Sequence, residues 1–214
     1  MPIHPASFMR LALLFLLCSA MLSVQCTAQS QQPVALFDGQ TFDGWEGNLD
    51  WFRIEDEAIV AGRLDARVPR NEFLCTETDY ADFILRLQFK LLGDGVNAGV
   101  QIRTRRIPDH HEVIGYQADL GDGWYGSLYD ESRRKRLLAK ADAEIIERVL
   151  KREDWNHYTI HAEGRRVRLA INGEQTVDYT ELDESLEQTG KICVQIHSGP
   201  PSEAWYKDIT LAPR

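Results

Sequence analysis

Residues 82–92 read DFILRLQFKLL, and their alternation is what most limits the fold. Phe83, Leu85, Leu87, Phe89 and Leu91 are apolar, while Arg86, Gln88 and Lys90 stand between them, with Ile84 the one exception. Neighbouring side chains of a strand point to opposite faces, so this run is a long strand with one face in a core. In RRVRLAING, Val167, Leu169 and Ile171 point one way and Arg166 and Arg168 the other. Glu163-Gly164 before this run and Asn172-Gly173 after it are hairpin signals, because Asn-Gly supplies the positive φ of a two-residue turn. Shorter strands are predicted near 50–54, 57–61, 72–76, 98–104, 113–120, 125–129, 156–162, 175–179, 190–197 and 203–211. The one helix candidate is 142–153, where Ile145, Ile146, Val149 and Leu150 form an apolar face. Many strands and one short helix predict an all-β protein, an antiparallel two-sheet sandwich.

The N-terminus reads as an export signal. Arg10 precedes LALLFLLCSAMLSV, an apolar run too short for a confident membrane span. Cleavage after Ala28 places small residues, Cys26 and Ala28, where the peptidase reads. A lipid anchor at Cys26 is the alternative, with Gln25 a poor lipobox residue. The expected organisation is a signal peptide over 1–28, a short linker over 29–33 and a single domain over 34–214, exported to the periplasm or beyond. Loss of Arg10 with the signal leaves 23 basic against 33 acidic residues. That balance argues against nucleic acid and suits a neutral ligand such as a sugar. Cys75 and Cys193 then remain; a bridge and two buried free thiols are both compatible with their apolar strand settings.

The segment 93–134 carries the candidate site. Gln101 and Arg103 alternate with Val100 and Ile102; Gln117 and Asp119 with Tyr116 and Ala118; Gln195 and His197 with Val194 and Ile196. If these strands are neighbours, the six polar residues share one face, about 4.8 Å apart from strand to strand. An ordinary solvated face would favour Lys, Glu and Thr. Asn97, Tyr129, Asp130 and Arg133 lie close by in sequence, and Trp124, flanked by Gly123, is placed to be presented on a loop for sugar stacking. Trp45, Trp51, Trp155 and Trp205 sit in strand patterns and are expected in the core. Asp109-His110-His111-Glu112 is read as a polar loop, since adjacent strand residues rarely chelate together. No metal site is assigned, although a divalent cation such as calcium near Gly121-Asp122-Gly123 stays open.

Seven segments together resemble a known family. LFDGQTFDGW at 36–45, FLCTETDYADFILRLQFKL at 73–91, VNAGVQIR at 96–103, DWNHYTIHAEG at 154–164, INGEQTVDY at 171–179, GKICVQIHSG at 190–199 and AWYKDITL at 204–211 run in the order of the DUF1080, or 3-keto-disaccharide hydrolase, domain. The resemblance implies the concanavalin-like jelly roll of lectins and many glucanases. It also implies an enzyme that cleaves 3-keto-glycosides. A ketone at C3 acidifies the C2 proton; a base removes it, and the group at C1 leaves by elimination. On this resemblance Asp119 or His197 is the base and Arg103 stabilises the enolate, with Tyr129 or Asp130 near the leaving group. Asn97, Gln101, Gln117, Trp124, Tyr129, Asp130, Arg133 and Gln195 bind the sugar. Gln117 and Asp119 stand where the family's Glu and Gln align, a departure that keeps open a non-catalytic carbohydrate-binding module on the same fold.

Overall fold

The computed structural model describes Met1 and residues 32–214; the signal-peptide and Cys26 expectations lie outside the described residues. Fifteen strands and one helix follow in chain order: β1 (Val34–Ala35), β2 (Trp45–Gly47), β3 (Phe52–Glu55), β4 (Ala58–Arg63), β5 (Glu72–Thr76), β6 (Phe83–Leu92), β7 (Asn97–Arg106), β8 (Val113–Gly121), β9 (Leu128–Glu131), β10 (Arg136–Ala139), α1 (Ala143–Val149), β11 (Asn156–Glu163), β12 (Arg166–Ile171), β13 (Glu174–Thr180), β14 (Lys191–Ile196) and β15 (Ser202–Pro213). They form two antiparallel sheets. The first runs β13-β12-β11-β6-β15-β4-β3, with β1 added to β15; the second runs β10-β9-β8-β7-β14-β5-β2. The predicted sandwich is therefore the observed one.

The alternation in β6 does what its pattern demands. Phe83, Leu85, Leu87, Phe89 and Leu91 are all buried in the main core against apolar side chains of the second sheet. Each is worth about 1.5–3 kcal/mol by burial. The β12–β13 turn has Asn172 at φ 50° and Gly173 at φ 89°, the pair of positive values a two-residue turn needs. The β11–β12 hairpin pairs Glu163 with Arg166, so its turn is Gly164-Arg165, one residue later than the sequence signal. Helix α1 is shorter than its predicted span. Asp142 caps its N-terminus by accepting from the Glu144 amide, and Leu150, in extended conformation, ends it.

Three expectations are corrected or resolved here. Trp45 joins the core and donates its indole N–H to the Leu36 carbonyl, and Trp51 packs against it. Trp205 is buried too, in a smaller cluster with Ala58 and Val60 on the outer face of the first sheet, and the partly buried Trp155 packs against it. Their parity places them there, opposite Ala204 and Tyr206. Lys90 and Lys207 extend over the indoles, covering what strand pattern alone reads as core. Cys75 and Cys193 face each other directly across β5 and β14 and form a disulfide.

A candidate sugar pocket on the second sheet

Strands β9, β8, β7 and β14 lie side by side, as the shared-face reading requires. Their inward side chains, among them Ala98, Val100, Tyr116, Ala118, Leu120, Leu128 and Val194, enter the core. The opposite parity faces out. In one row across the sheet stand Tyr129, Gln117, Gln101 and Cys193; in the next, Asp119, Gly99 and Gln195. His197 follows the end of β14 and is held beside Asn97 by its amide, which donates to the Asn97 carbonyl at 2.9 Å. Trp124 comes from the turn after β8, where its amide donates to the Gly121 carbonyl, and its ring meets Tyr129 edge-on at 6.2 Å.

These elements enclose a pocket of about 160 Å³ lined by Asn97, Gln117, Asp119, Trp124, Tyr129, Glu131 and His197. That is below the roughly 300–1,000 Å³ of drug-sized ligand sites, a scale that suits one ring. Its floor depends on a missing side chain. A Cβ on Gly99 would come within 2.7 Å of Gln117 Cγ, so only glycine lets Gln117 lie across the sheet. The Gln101 amide donates to Gln117 Oε1, and Gln117 Nε2 donates to Asp119 Oδ1 at 2.5 Å. This fixes the orientation of the Gln117 amide. Asp119 Oδ2, Gln101 Oε1 and both side-chain polar atoms of Gln195 are buried without a hydrogen-bond partner. Native proteins rarely leave such atoms unmatched, and four of the six among the described residues lie here, the others being Arg133 Nη2 and the Tyr158 hydroxyl. Beneath the floor, the Tyr206 hydroxyl crosses the core from the first sheet and donates to the Gln195 carbonyl at 2.7 Å.

The electrostatics follow from burial. Asp119 is 3% exposed. Burial pushes its carboxyl up to about 7; the Gln117 hydrogen bond opposes the rise and the Glu131 charge adds to it. Glu131 is also raised, by burial and by Glu112, with His197 and Ser132 opposing. Burial and then the charges of Glu131, Asp119 and Asp130 raise the Tyr129 hydroxyl. His197 Nδ1 lies 2.8 Å from the Ser198 carbonyl, which can only accept. Nδ1 therefore carries the proton, and a neutral ring presents Nε2 as a lone pair.

Six residues singled out in the sequence meet in this pocket: Asn97, Gln117, Asp119, Trp124, Tyr129 and His197. Gln101 and Gln195 lie buried in the floor rather than on its surface. Arg103 is not there. It sits at φ 50° in a β-bulge, where the register with β8 shifts between Ile102 and Arg105, and the extra residue reverses side-chain parity. Its guanidinium is buried against the Ala81 and Gly164 carbonyls, Gln188 and Asp82. Asp130 and Arg133 are also elsewhere. Asp130 neighbours Tyr129 on a strand, so it points through the sheet, where Arg133 and Arg134 hold it. The residue sequence reasoning missed is Glu131. Its signal was available, since it stands two places after Tyr129 and shares that face. His110 and His111 stack on each other outside the strands, and the described residues contain no group of three or more His, Cys, Asp or Glu placed to hold a metal ion. Asp122, the carboxylate of the Gly-Asp-Gly turn, is exposed and paired with Arg152 at 2.6 Å.

The family model of the 3-keto-alpha-glucoside-1,2-lyase-like domain matches residues 32–212. The chain belongs to this family. No curated protein matches it in sequence. Among solved structures it is similar to a candidate glycosyl hydrolase of Parabacteroides distasonis ATCC 8503 (18% identity, 85% of this chain and 94% of that one, TM-score 0.66). It is also similar to the carbohydrate-binding module CBM66 of Bacillus subtilis (14%, 79% and 95%, 0.61). The β-glucanase of Bacillus licheniformis shares the architecture (8%, 87% and 100%, 0.56). At these identities the likeness is one of fold, the jelly roll that the family resemblance implies.

Proposed function

We propose that the protein is an exported enzyme that cleaves 3-keto-glycosides by proton abstraction at C2 and elimination at C1. The observation that carries this reading is Asp119, a buried carboxyl raised to about 7 with one oxygen unpartnered in a sugar-sized pocket. Family membership supports the substrate class, and the Cys75–Cys193 disulfide supports an oxidising compartment.

In this reading His197 Nε2 takes the C2 proton, and the C–H electron pair moves onto the C3 oxygen as an enolate. The Asp119 carboxyl, raised to about 7 by burial and so protonated in part near neutrality, donates to that oxygen in place of Arg103, with the Asn97 amide beside it. The enolate electrons return to form the C1–C2 double bond as the C1–O bond breaks. Glu131 delivers a proton to the departing oxygen. Conjugate addition of water at C1 returns a proton to C2 and gives net hydrolysis. No step requires the paired carboxylates of ordinary glycosidases.

The test uses a 3-keto-glucoside carrying deuterium at C2. The label is expected to be lost to solvent with aglycone release, whether the sugar leaves as the enone or as its hydrate. Retention of C2 deuterium in the released sugar overturns the mechanism. A second reading, a carbohydrate-binding module, is favoured by Gln117 at the position of the family's Glu. Affinity for a glycoside without turnover of any keto-sugar would establish it.

A further inference from the structure

The pocket wall holds two carboxyls and neither a lysine nor an arginine. The arginines nearest in sequence are turned away and occupied: Arg103 by Asp82, Arg133 by Asp130, and Arg134 by Asp130 and Glu181. His197 is the one basic group on the wall, and its Nδ1 is committed to a carbonyl. A third carboxyl, Glu112, stands behind Glu131 and adds its charge there; Asn71, Ser132 and His111 hold it in place. Asp119 Oδ2 is buried and unpartnered. Any charge these carboxyls carry is thus offset by no lysine or arginine on the wall, and Asp119 is nearly closed to solvent.

Ring hydroxyls fit such a wall, because each can donate to a carboxylate and accept from the Asn97 amide or a protonated carboxyl. A ring carboxylate, phosphate or sulfate would be desolvated beside these carboxyls with no cation to receive it, a costly arrangement in recognition. We propose that the pocket takes an uncharged hexosyl ring and rejects rings bearing a carboxylate, phosphate or sulfate. This rests on the keto-glycoside reading for the identity of the ring, but not on catalysis.

The experiment compares three methyl 3-keto-glycosides by titration calorimetry on the purified protein: the glucoside, the C6 carboxylate, and the C6 carboxamide. The carboxamide matches the carboxylate in shape and lacks its charge. The amide is expected within a few fold of the glucoside, and the carboxylate about tenfold or more weaker than the amide. In the Glu131→Gln variant that gap narrows. Equal binding of carboxylate and amide overturns the proposal, as does failure of all three to bind. A gap that persists without turnover removes the catalytic reading and leaves the charge selection standing. Equal turnover of amide and carboxylate does the reverse.

Discussion

Two buried carboxyl clusters lie on opposite faces of the same sheet, and they are built on opposite principles. Under the sheet, Asp130 and Glu181 are met by Arg133, Arg134, and the hydroxyls of Tyr116 and Tyr179. Burial alone would raise Glu181, yet Arg134, the Asp183 amide and Tyr116 outweigh it and hold the carboxyl at about 2. On the outer face Asp119 is buried as well, but its one side-chain donor is the Gln117 amide, and its carboxyl rises to about 7. Low exposure with full pairing yields a structural anchor. Deeper burial with half pairing yields a group poised to exchange protons near neutrality.

The contrast can be broken most forcefully at Arg134. Arg134→Met leaves Asp130 and Glu181 short of their partner and should destabilise the fold by about 3–5 kcal/mol in urea titration. A loss under ~1 kcal/mol would show the anchor to be ornamental. His197→Gln and Asp119→Asn act on the other cluster. At least one should lower turnover of a 3-keto-glucoside roughly a hundredfold, as removal of a general acid or base does, while sugar binding persists.

The sign of the stability effect separates the clusters further. Asp119 binds its proton more tightly folded than unfolded, so its contribution is most favourable below about pH 4 and is lost as pH rises through about 7. Glu131 and Tyr129 on β9, His197 beyond β14 and Tyr158 across the core all face this titration. Asp119→Asn should therefore stabilise the protein at pH 8, on the order of 2 kcal/mol, and do little at pH 4. Glu181→Gln should do the opposite, costing stability at pH 7 and losing that cost as pH falls toward about 2. Melting curves at three pH values settle both. The smallest effect is expected at Trp124→Ala, which removes a half-exposed stacking surface. Affinity for a glycoside should fall roughly five- to tenfold, about 1 kcal/mol, with stability unchanged.

The sandwich was legible because alternation over β6 and β12 is a local property that packing merely confirms. The pocket was legible to the same extent, since Gln117, Asp119 and His197 keep the parity their apolar neighbours announce. What alternation cannot announce is a break in itself. The bulge at Arg103 inserts one residue, and the side chain expected beside Gln101 turns to the opposite side. Tyr129 and Asp130 cannot both face the site, because neighbours on a strand diverge. Strict parity selects Tyr129 and Glu131. Trp205 is buried as its pattern implies, but on the outer face, where lysine stems cover it and the partly buried Trp155.

The bulge has a consequence for how this domain can diversify. Ahead of it on β7, Asn97, Gly99 and Gln101 build the wall and floor of the pocket. Behind it, Arg103 latches the segment before β6, the β11–β12 turn and Gln188 into one corner. Substitutions on the first stretch can reshape the pocket without loosening that latch, and changes in the turn near Gly164 can reshape the corner without touching the pocket. One strand thus carries two separately heritable tasks.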